Sequence, residues 1–389
     1  MARRIYQYIF GFLFFLLPFG SQFLVYDTFS YAAGGFSPWM SFFLTVPDIL
    51  SLIVIVIGII LYLSQKILYF PFPSARVMGV FVLCLLPVLW IESPLLHFLW
   101  ILRFFFYYQA VAFLCFVKNY KTLIAPMVLS LLIMAFIGIL QFYFQKSLGL
   151  SWFGEVAFSS DVLGIAKIDV FDTKYIRSYG LFQHPNIFAA YLFLGIAFLR
   201  RFQYYRLSYF VFIPLFLTFS KAAILALCLL LFFEKKTSFT KWYPFIICLV
   251  LFFPFLYARL IEEASYAERW QGIGESLFLL WKYPFGLGIS HSVLFSLQNT
   301  PEVMDVWMFQ PVHNSWLLLL VELGWLAGGM VIMGAVTFFK KLSYYWKNVF
   351  FALFVISLVD HFFITSPQFI FIFFLFSAFA YFDSLKSSS

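Results

Sequence analysis

Long apolar runs separated by short polar stretches dominate this chain. Twelve runs are candidates for membrane-spanning helices, at about 5–26, 39–63, 76–92, 97–117, 122–143, 187–199, 207–219, 222–233, 242–258, 314–338, 348–363 and 368–382. A helix that crosses a bilayer uses roughly 20 apolar residues, and only helices or closed barrels satisfy their backbone groups in lipid. The pattern therefore predicts an all-α polytopic integral membrane protein with about twelve transmembrane helices, forming a single membrane domain over 1–389.

Composition strengthens this prediction. Of the 389 residues, 64% are hydrophobic and 11% are charged, whereas soluble domains have about 25% charged residues. A soluble globular protein, a disordered chain and a disulfide-stapled scaffold are excluded. The cysteines Cys84, Cys115, Cys228 and Cys248 lie inside apolar runs without metal-ligand spacing, so we expect them to be small buried hydrophobes.

The basic residues predict an orientation. With twelve spans, both termini fall on one side, and that side carries 16 of the Lys and Arg residues against 8 on the other. The positive-inside rule then places both termini in the cytoplasm. Basic residues are spread in twos and threes, unlike a nucleic-acid surface, and the short cytoplasmic loops contain no phosphate-binding loop. We therefore expect neither nucleic acid nor nucleotide as a partner.

Two predicted outer loops are long, at about 144–186 and 259–312. Loops of this length within a compact architecture are usually functional. All five histidines also fall at or near the outer face, namely His97, His184, His291, His313 and His361. The chemistry of the protein is therefore expected on that face.

Three predicted spans begin at the outer face, near Asn186, Ala222 and Asn314. The start of a helix presents free N–H groups and a partial positive charge, which favour anions. If these starts lie together, they form an outward-facing site for a phosphate or diphosphate. Its place at the membrane surface favours a lipid-linked ligand.

Polar side chains accompany each of these starts. Arg177 and His184 precede the first, Lys221 lies at the second, and His313 precedes the third. Each has a simpler interpretation as well. Arg177 could pair with the acidic residues of its own loop, and Lys221 could be an interface lysine that reaches toward the headgroups. His313 could be an interfacial cap, and His184 could be a turn residue before a proline. The convergence of three starts is what favours a site.

The second outer loop is predicted to contain an amphipathic helix in the membrane interface. Arg269 lies on it, and the turn at 284–288 is expected to end it. The apolar positions at helical spacing are Tyr266, Trp270, Ile273, Leu277, Leu280 and Trp281.

Three charged residues fall inside predicted spans. Asp48 and Arg103 lie at similar depths, so we expect a structural ion pair between them. Glu322 is nine residues beyond His313, on the opposite side of the same helix, and cannot orient it directly. Gly324 and Gly328 form a helix-packing step near Glu322, which favours a packing or hydrogen-bonding role for that carboxyl group.

The chain resembles the O-antigen ligase and O-antigen polymerase superfamily over roughly 170–340. The segment from Arg177 to Asn186, Arg-Ser-Tyr-Gly-Leu-Phe-Gln-His-Pro-Asn, is similar to the outer-loop segment of that family. Four further features follow in the family's order, and they are Thr218-Phe-Ser220-Lys221, Arg269-Trp270, Pro284-Phe-Gly-Leu-Gly288 and His313-Asn314 with Glu322-Leu-Gly324. The family has an arginine where this chain has Lys221, which keeps the charge but loses the two-pronged guanidinium contact.

The resemblance implies an inverting glycosyltransferase of the GT-C-like, all-helical kind. Such enzymes move a glycan from undecaprenyl diphosphate to an acceptor hydroxyl on the outer face of the bacterial inner membrane. It implies that His313 is the catalytic base and that Arg177, Lys221 and Arg269 bind the diphosphate. The supporting residues are expected to be His184, Asn186, Asn314 and Glu322. The sequence shows no cluster of carboxylates that would suggest a metal site, so we expect no metal and no other cofactor.

Three alternatives remain open from the sequence. The acceptor could be a lipid A core or another surface glycan, which defines a ligase, or a second lipid-linked repeat, which defines a polymerase. Protein glycosylation is weaker, because the chain has no appended domain. A flippase or transporter of lipid-linked sugars needs polar groups near the midplane and related halves, and neither is visible here.

Overall fold

The computed structural model describes residues 2–27, 38–64, 70–117, 120–159, 162, 164–234, 242–260, 264–299 and 309–388. The α-helices in those ranges are α1 (Ala2–Leu16), α2 (Val46–Leu63), α3 (Ala75–Cys84), α4 (Pro94–Ala112), α5 (Ile124–Phe144), α6 (Pro185–Arg201), α7 (Tyr205–Leu217), α8 (Lys221–Phe233), α9 (Tyr243–Leu251), α10 (Phe253–Leu260), α11 (Ala264–Lys282), α12 (His291–Asn299), α13 (Ser315–Lys340), α14 (Tyr344–Ser357), α15 (Phe362–Thr365) and α16 (Pro367–Ser388). Two antiparallel hairpins pair β1 (Gln22–Asp27) with β2 (Ser41–Thr45) and β3 (Lys167–Val170) with β4 (Thr173–Ile176).

Among the described residues, five helices are long and apolar enough to cross a membrane, at Val46–Leu63, Pro94–Ala112, Lys121–Phe144, Ser315–Lys340 and Pro367–Leu385. Shorter apolar helices accompany them in α1, α3, α7 and α8. The prediction of a helical, membrane-embedded protein is thus confirmed. Among the cysteines, Cys84 and Cys248 are buried as expected, whereas Cys228 is only half-buried, and all three are unbridged. The side chain of Cys115 lies outside the described residues.

Helix α6 forms the centre of the bundle. Nearly all of its side chains are buried, and it packs against α5, α7, α8, α14 and α16. Its last turn carries two ion pairs, from Arg200 to Glu234 at 2.5 Å and from Arg201 to Asp383 at 2.7 Å. At 1.5 Å per residue the helix is about 25 Å long, so these pairs lie far from its first turn.

The first two predicted spans extended too far. Helix α1 ends at Leu16, before Pro18 and Gly20, and the run at 5–26 continues through a turn into β1 instead. Likewise the run at 39–63 begins with β2, and α2 starts only at Val46. Aromatic and β-branched residues fill both segments, and such residues suit a strand as well as they suit an apolar helix.

Asp48 and Arg103 form the expected ion pair between α2 and α4. The Arg103 guanidinium donates to Asp48 at 2.9 Å, and the same carboxylate accepts from the Thr45 backbone N–H and hydroxyl at the start of α2. The guanidinium also lies over the rings of Phe42 and Trp100. Both charges are therefore paired within the protein.

Helix α13 is interrupted at Gly324, where φ is 78° and ψ is 175°. The turn that follows α11 fits into this break. Gly286 is so close that a Cβ built on it would lie 2.5 Å from the Glu322 carbonyl oxygen, and the Leu287 and Gly288 N–H groups donate to the carbonyls of Val321 and Glu322 at 3.0 and 2.8 Å. Gly324 thus packs against a turn rather than against another helix.

Helix α11 presents two different faces. The predicted helix and its end before the 284–288 turn are confirmed, but the apolar stripe is divided. Leu280 is buried in the protein, and Ile273 packs against buried apolar side chains. The outward face carries Trp270 and Trp281, which are 72% and 84% exposed. A single lipid-facing stripe was therefore the wrong prediction for this helix.

Candidate functional site

Arg177 connects the starts of two helices. It follows β4, is 2% exposed, and donates from Nε to the Thr218 carbonyl oxygen at 2.6 Å. A terminal guanidinium nitrogen donates to the Asn186 side-chain oxygen, also at 2.6 Å. Thr218 lies just before α8 and Asn186 lies in the first turn of α6. The alternative in which Arg177 answers the acidic residues of its own loop, Asp169 and Asp172, is wrong.

Asn186 links the starts of α6 and α8 to a third segment of the chain. Its amide nitrogen donates to Asp360 Oδ2 at 2.7 Å, in the loop that follows α14. The other carboxylate oxygen of Asp360 accepts from the His361 backbone N–H at 2.9 Å, and the Asp360 carbonyl accepts from the Ser315 hydroxyl at 2.6 Å. The starts of α6 and α13 are therefore both fixed to the Asp360 loop.

His313 and His361 lie side by side, with ring centroids 5.0 Å apart. His361 Nδ1 lies 2.8 Å from the Thr365 hydroxyl, and that hydroxyl donates to the His361 carbonyl at 3.3 Å. The Thr365 hydroxyl therefore contacts both the ring and the backbone carbonyl of His361. The edge of Trp39 packs on His361 with 5.0 Å between centroids.

We call Arg177, Asn186, His313, Asp360 and His361 the polar cluster. Two of the expected supporting residues stand at its edge as helix caps. Asn314 caps α13 by accepting from the Trp316 and Leu317 N–H groups, at 3.1 and 3.0 Å. His184 caps α6 through Nδ1, which accepts from the Asn186 N–H at 3.2 Å. His184 thus lies directly before Pro185 as the cap of α6, a role that the sequence did not predict, and it also lies beside the cluster.

Two more cations flank the polar cluster. Arg269, half-buried on the inner face of α11, donates to the Val359 carbonyl at 3.0 Å, next to Asp360. Lys221, half-buried at the start of α8, donates from Nζ to the Arg259 carbonyl at 3.0 Å. The structure thus places all three predicted diphosphate-binding residues near the starts of α6, α8 and α13.

Burial and the neighbouring cations set the charge states in the cluster. Burial, together with the charge of Arg259, lowers the pKa of Arg177 to about 9, so its guanidinium remains protonated at neutral pH. Burial, followed by the charges of His313 and Arg269, holds the pKa of His361 well below its usual range. His361 is therefore a neutral imidazole at pH 7, able to accept a proton or a hydrogen bond.

The cluster contains ligands that a metal ion could use. His313, Asp360 and His361 each offer one ligand atom, and these atoms lie within 4.8 Å of one another. Imidazole and carboxylate suit zinc and similar ions. However, both oxygens of Asp360 already accept hydrogen bonds, and the single carboxylate faces Arg177 and its neighbouring cations. The local charge balance favours an anion over a cation.

Glu322 lies apart from the polar cluster. One of its carboxyl oxygens accepts from the Ser290 N–H at 3.0 Å and from the Ser292 hydroxyl at 2.9 Å, at the start of α12. The expectation of a packing or hydrogen-bonding group is confirmed. Glu322 therefore connects α12 to α13 and does not touch His313.

The sequence did not single out Asp360 as a site residue. It noted His361 only for its position near the outer face, because the apolar run at 348–363 was interpreted as a span. In the structure α14 ends at Ser357, and the Asp360-His361 pair lies in the following loop. The available signal was the pair itself, since adjacent polar residues inside a span are costly and mark a function or a boundary.

No family model, curated protein or solved structure matches this chain.

Proposed function

We propose that this protein is a glycosyltransferase that moves an oligosaccharide or polysaccharide from undecaprenyl diphosphate to an acceptor hydroxyl. In this proposal it has about twelve spans in a GT-C-like arrangement in the bacterial inner membrane, with both termini in the cytoplasm. The polar cluster then faces the periplasm. The acceptor is a lipid A core or another surface glycan, as the resemblance to O-antigen ligases implies.

The observation that carries the proposal is the convergence of helix starts around buried polar groups. Arg177 bonds to the residues that precede or begin α8 and α6, and the Asp360 loop joins α6 to α13. Helix starts and cations that point to one place stabilise a developing anion. A diphosphate leaving group develops such a charge, and it requires no nucleotide for energy.

In the proposed reaction, the acceptor hydroxyl oxygen attacks the anomeric carbon of the lipid-linked sugar. The bond from that carbon to the diphosphate oxygen breaks, and the electron pair leaves with undecaprenyl diphosphate. His313 accepts the hydroxyl proton as general base. Because the neighbouring His361 is neutral, the positive charge that His313 gains with this proton is not opposed by a second charged imidazole. A single displacement of this kind inverts the anomeric centre.

The cations take different parts in this reaction. Arg269 and Lys221 are half-buried and meet the diphosphate from the accessible side. Arg177 is buried behind them, where it holds Asn186 and adds its charge to the field. Because Lys221 is a single ammonium group, it contributes less directional contact with phosphate than an arginine would.

The test uses full-length protein in nanodiscs with undecaprenyl-diphosphate oligosaccharide and a panel of acceptors. We expect glycan transfer with release of undecaprenyl diphosphate, reduced about 10²–10⁴-fold in His313→Ala, the usual range for loss of a general base. The matched control is His291→Gln, because His291 lies on α12 outside the polar cluster. Products with one added block identify a ligase, whereas a ladder identifies a polymerase.

A different result would favour a flippase over a transferase. In that case no acceptor is glycosylated, and the donor crosses a vesicle membrane equally well with wild type and with His313→Ala. Equal transfer by wild type and His313→Ala would remove His313 as the base.

A further inference from the structure

The hairpin of β1 and β2 lies beside the polar cluster and reaches it at both ends. At its base, the Gln22 side-chain oxygen accepts from the Gln183 amide at 2.5 Å, next to His184 and the start of α6. At its other end, the ring of Trp39, which lies just before β2, packs its edge on His361. The hairpin therefore forms one side of the surface that surrounds the polar cluster.

Strand β1 exposes apolar side chains on both of its faces. Phe23, Leu24 and Val25 follow one another along the strand, and they are 65%, 49% and 58% exposed. A strand that packs one face on a core and turns the other to water alternates apolar and polar residues. Consecutive exposed apolar residues are instead typical of a strand that meets an apolar partner, because such a surface promotes association when it is left in water.

The apolar strand and the cations beside it together fit an amphiphilic anion. Arg177, Lys221 and Arg269 bring positive charge to the polar cluster, which favours a negatively charged head group. Strand β1 has six residues and is about 20 Å long, enough to accommodate several isoprene units. A ligand with an anionic head and a long apolar chain meets both features. An inorganic anion would leave the strand uncovered, and a neutral lipid would not engage the cations.

We propose that β1 binds the apolar chain of a lipid diphosphate whose head group lies at the polar cluster, with the chain against Phe23, Leu24 and Val25. The inference rests on the proposed function in taking the anion to be a lipid-linked diphosphate, and it adds the place where the lipid chain lies. Burial of apolar surface drives this contact, so the chain contributes affinity that the diphosphate alone does not have.

The first measurement is photo-crosslinking to the full-length protein in nanodiscs. The probe is farnesyl diphosphate with a diazirine near the end of its chain, and the comparison probe is farnesol with the same diazirine. Mass spectrometry then identifies the labelled peptides. We expect the diphosphate probe to label the peptide that contains β1 about tenfold more than the farnesol probe does, because only the diphosphate is held by the cations. Excess geranylgeranyl diphosphate should remove this difference.

The variants Phe23→Ser and Val25→Ser test the strand itself. Calorimetric titration in detergent compares geranylgeranyl diphosphate with inorganic diphosphate. Each variant should weaken the binding of geranylgeranyl diphosphate about fivefold, as expected for partial loss of one apolar contact, and leave that of inorganic diphosphate unchanged. Arg269→Gln should weaken both. The matched controls are Phe12→Ser and Val56→Ser, which alter similarly exposed residues on α1 and α2. Thermal unfolding confirms that each variant is folded.

The possible outcomes separate this inference from the proposed function. Equal labelling of β1 by both probes would show that the strand faces ordinary bilayer lipid, and the chain site would be wrong. Labelling of β1 by neither probe, as expected if a second copy of the protein covers the strand, would overturn it too. Strand variants that bind geranylgeranyl diphosphate as wild type does would remove the chain site and leave the diphosphate site in place. If the strand variants weaken binding as expected but no acceptor is glycosylated, the transferase fails and the chain site stands.

Discussion

Asn186 donates a hydrogen bond from its side-chain amide to Asp360 Oδ2 at 2.7 Å, although the two residues are 174 positions apart in the chain. The same amide accepts from Arg177 through its oxygen. One neutral side chain thus stands between a buried cation and a buried carboxylate and satisfies both. A direct ion pair would cancel the charge of Arg177, whereas this relay leaves it available to a ligand.

We expect Asn186 and Asp360 to be energetically coupled. Asn186→Ala and Asp360→Asn should each lower the free energy of unfolding in detergent, and the double variant should cost less than their sum. Contacting pairs in one network typically show coupling of about 0.5–3 kcal/mol. Equilibrium unfolding of the four proteins measures it. Strict additivity within experimental error would show that the relay does not act as a unit.

Arg269 should control donor binding. Replacing it with Gln removes a half-buried cation from the edge of the polar cluster, so the KM for the lipid diphosphate should rise about tenfold, consistent with loss of a charged hydrogen bond. Arg269→Lys keeps the charge but loses the two-pronged guanidinium contact, so its KM should lie between the values of wild type and Arg269→Gln. Lys282→Gln on the same helix is the control, because that residue is exposed at the last turn of α11. Equal KM values for all four proteins would contradict the assignment.

The lowered pKa of His361 in the folded protein predicts how the stability of the protein depends on pH. Its pKa lies well below the usual value in the folded protein because of burial and the charges of His313 and Arg269. The unfolded chain therefore binds a proton as the pH falls below about 6.5, while the folded chain does not. Stability should be fully present above that pH and decline below it, by up to about 1.4 kcal/mol per pH unit for this histidine.

Thermal unfolding of wild type and His361→Gln between pH 5 and pH 8 measures this dependence. The variant should have a shallower decline at acid pH, since the glutamine side chain does not titrate. A wild-type transition temperature that rises as the pH falls from about 6.5, the ordinary histidine value, would reverse the predicted sign.

The Asp48–Arg103 pair should be structural. Arg103→Met leaves a buried carboxylate without its main partner, and removing one member of a buried pair costs about 3–5 kcal/mol. Adding Asp48→Asn should recover part of that loss, because the neutral amide no longer needs a counter-charge. Unfolding in detergent reports both effects. If Arg103→Met unfolds like wild type, the pair carries no stability.

Transfer should be independent of added metal. The cluster of His313, Asp360 and His361 has ligand atoms close enough for an ion, but its carboxylate is already bonded and cations surround it. Dialysis against a chelator should leave kcat unchanged, and elemental analysis should find no stoichiometric zinc. Loss of activity on chelation that zinc restores would establish a metal site at these three residues.

Several features of this fold follow from sequence because they depend on periodicity and charge alone. Apolar runs predicted the membrane helices, and the depth of Asp48 and Arg103 predicted their pairing. Orientation brought Arg177, Asn186 and His313 to one end, since helices that run in the same direction begin on the same side. These inferences need no knowledge of which helices touch.

Other features could not be predicted because they depend on packing between distant segments. Asp360 enters the site through hydrogen bonds to α6 and α13, and no local pattern encodes such contacts. In α11 the inward Leu280 and the outward Trp281 are both apolar, because lipid and protein interior favour the same residue types. For the same reason β1, at Gln22–Asp27, could not be separated from the helix before it.

The break in α13 has a consequence for the order in which the protein is built. At Gly324 the carbonyls of Val321 and Glu322 are taken by the turn at 284–288, and non-helical backbone at membrane depth is tolerated only where protein or water covers it. In a chain made from its N-terminus, that turn is synthesised before α13. The segment that covers the break at Gly324 has therefore already been made when α13 forms, so α13 can be completed against it.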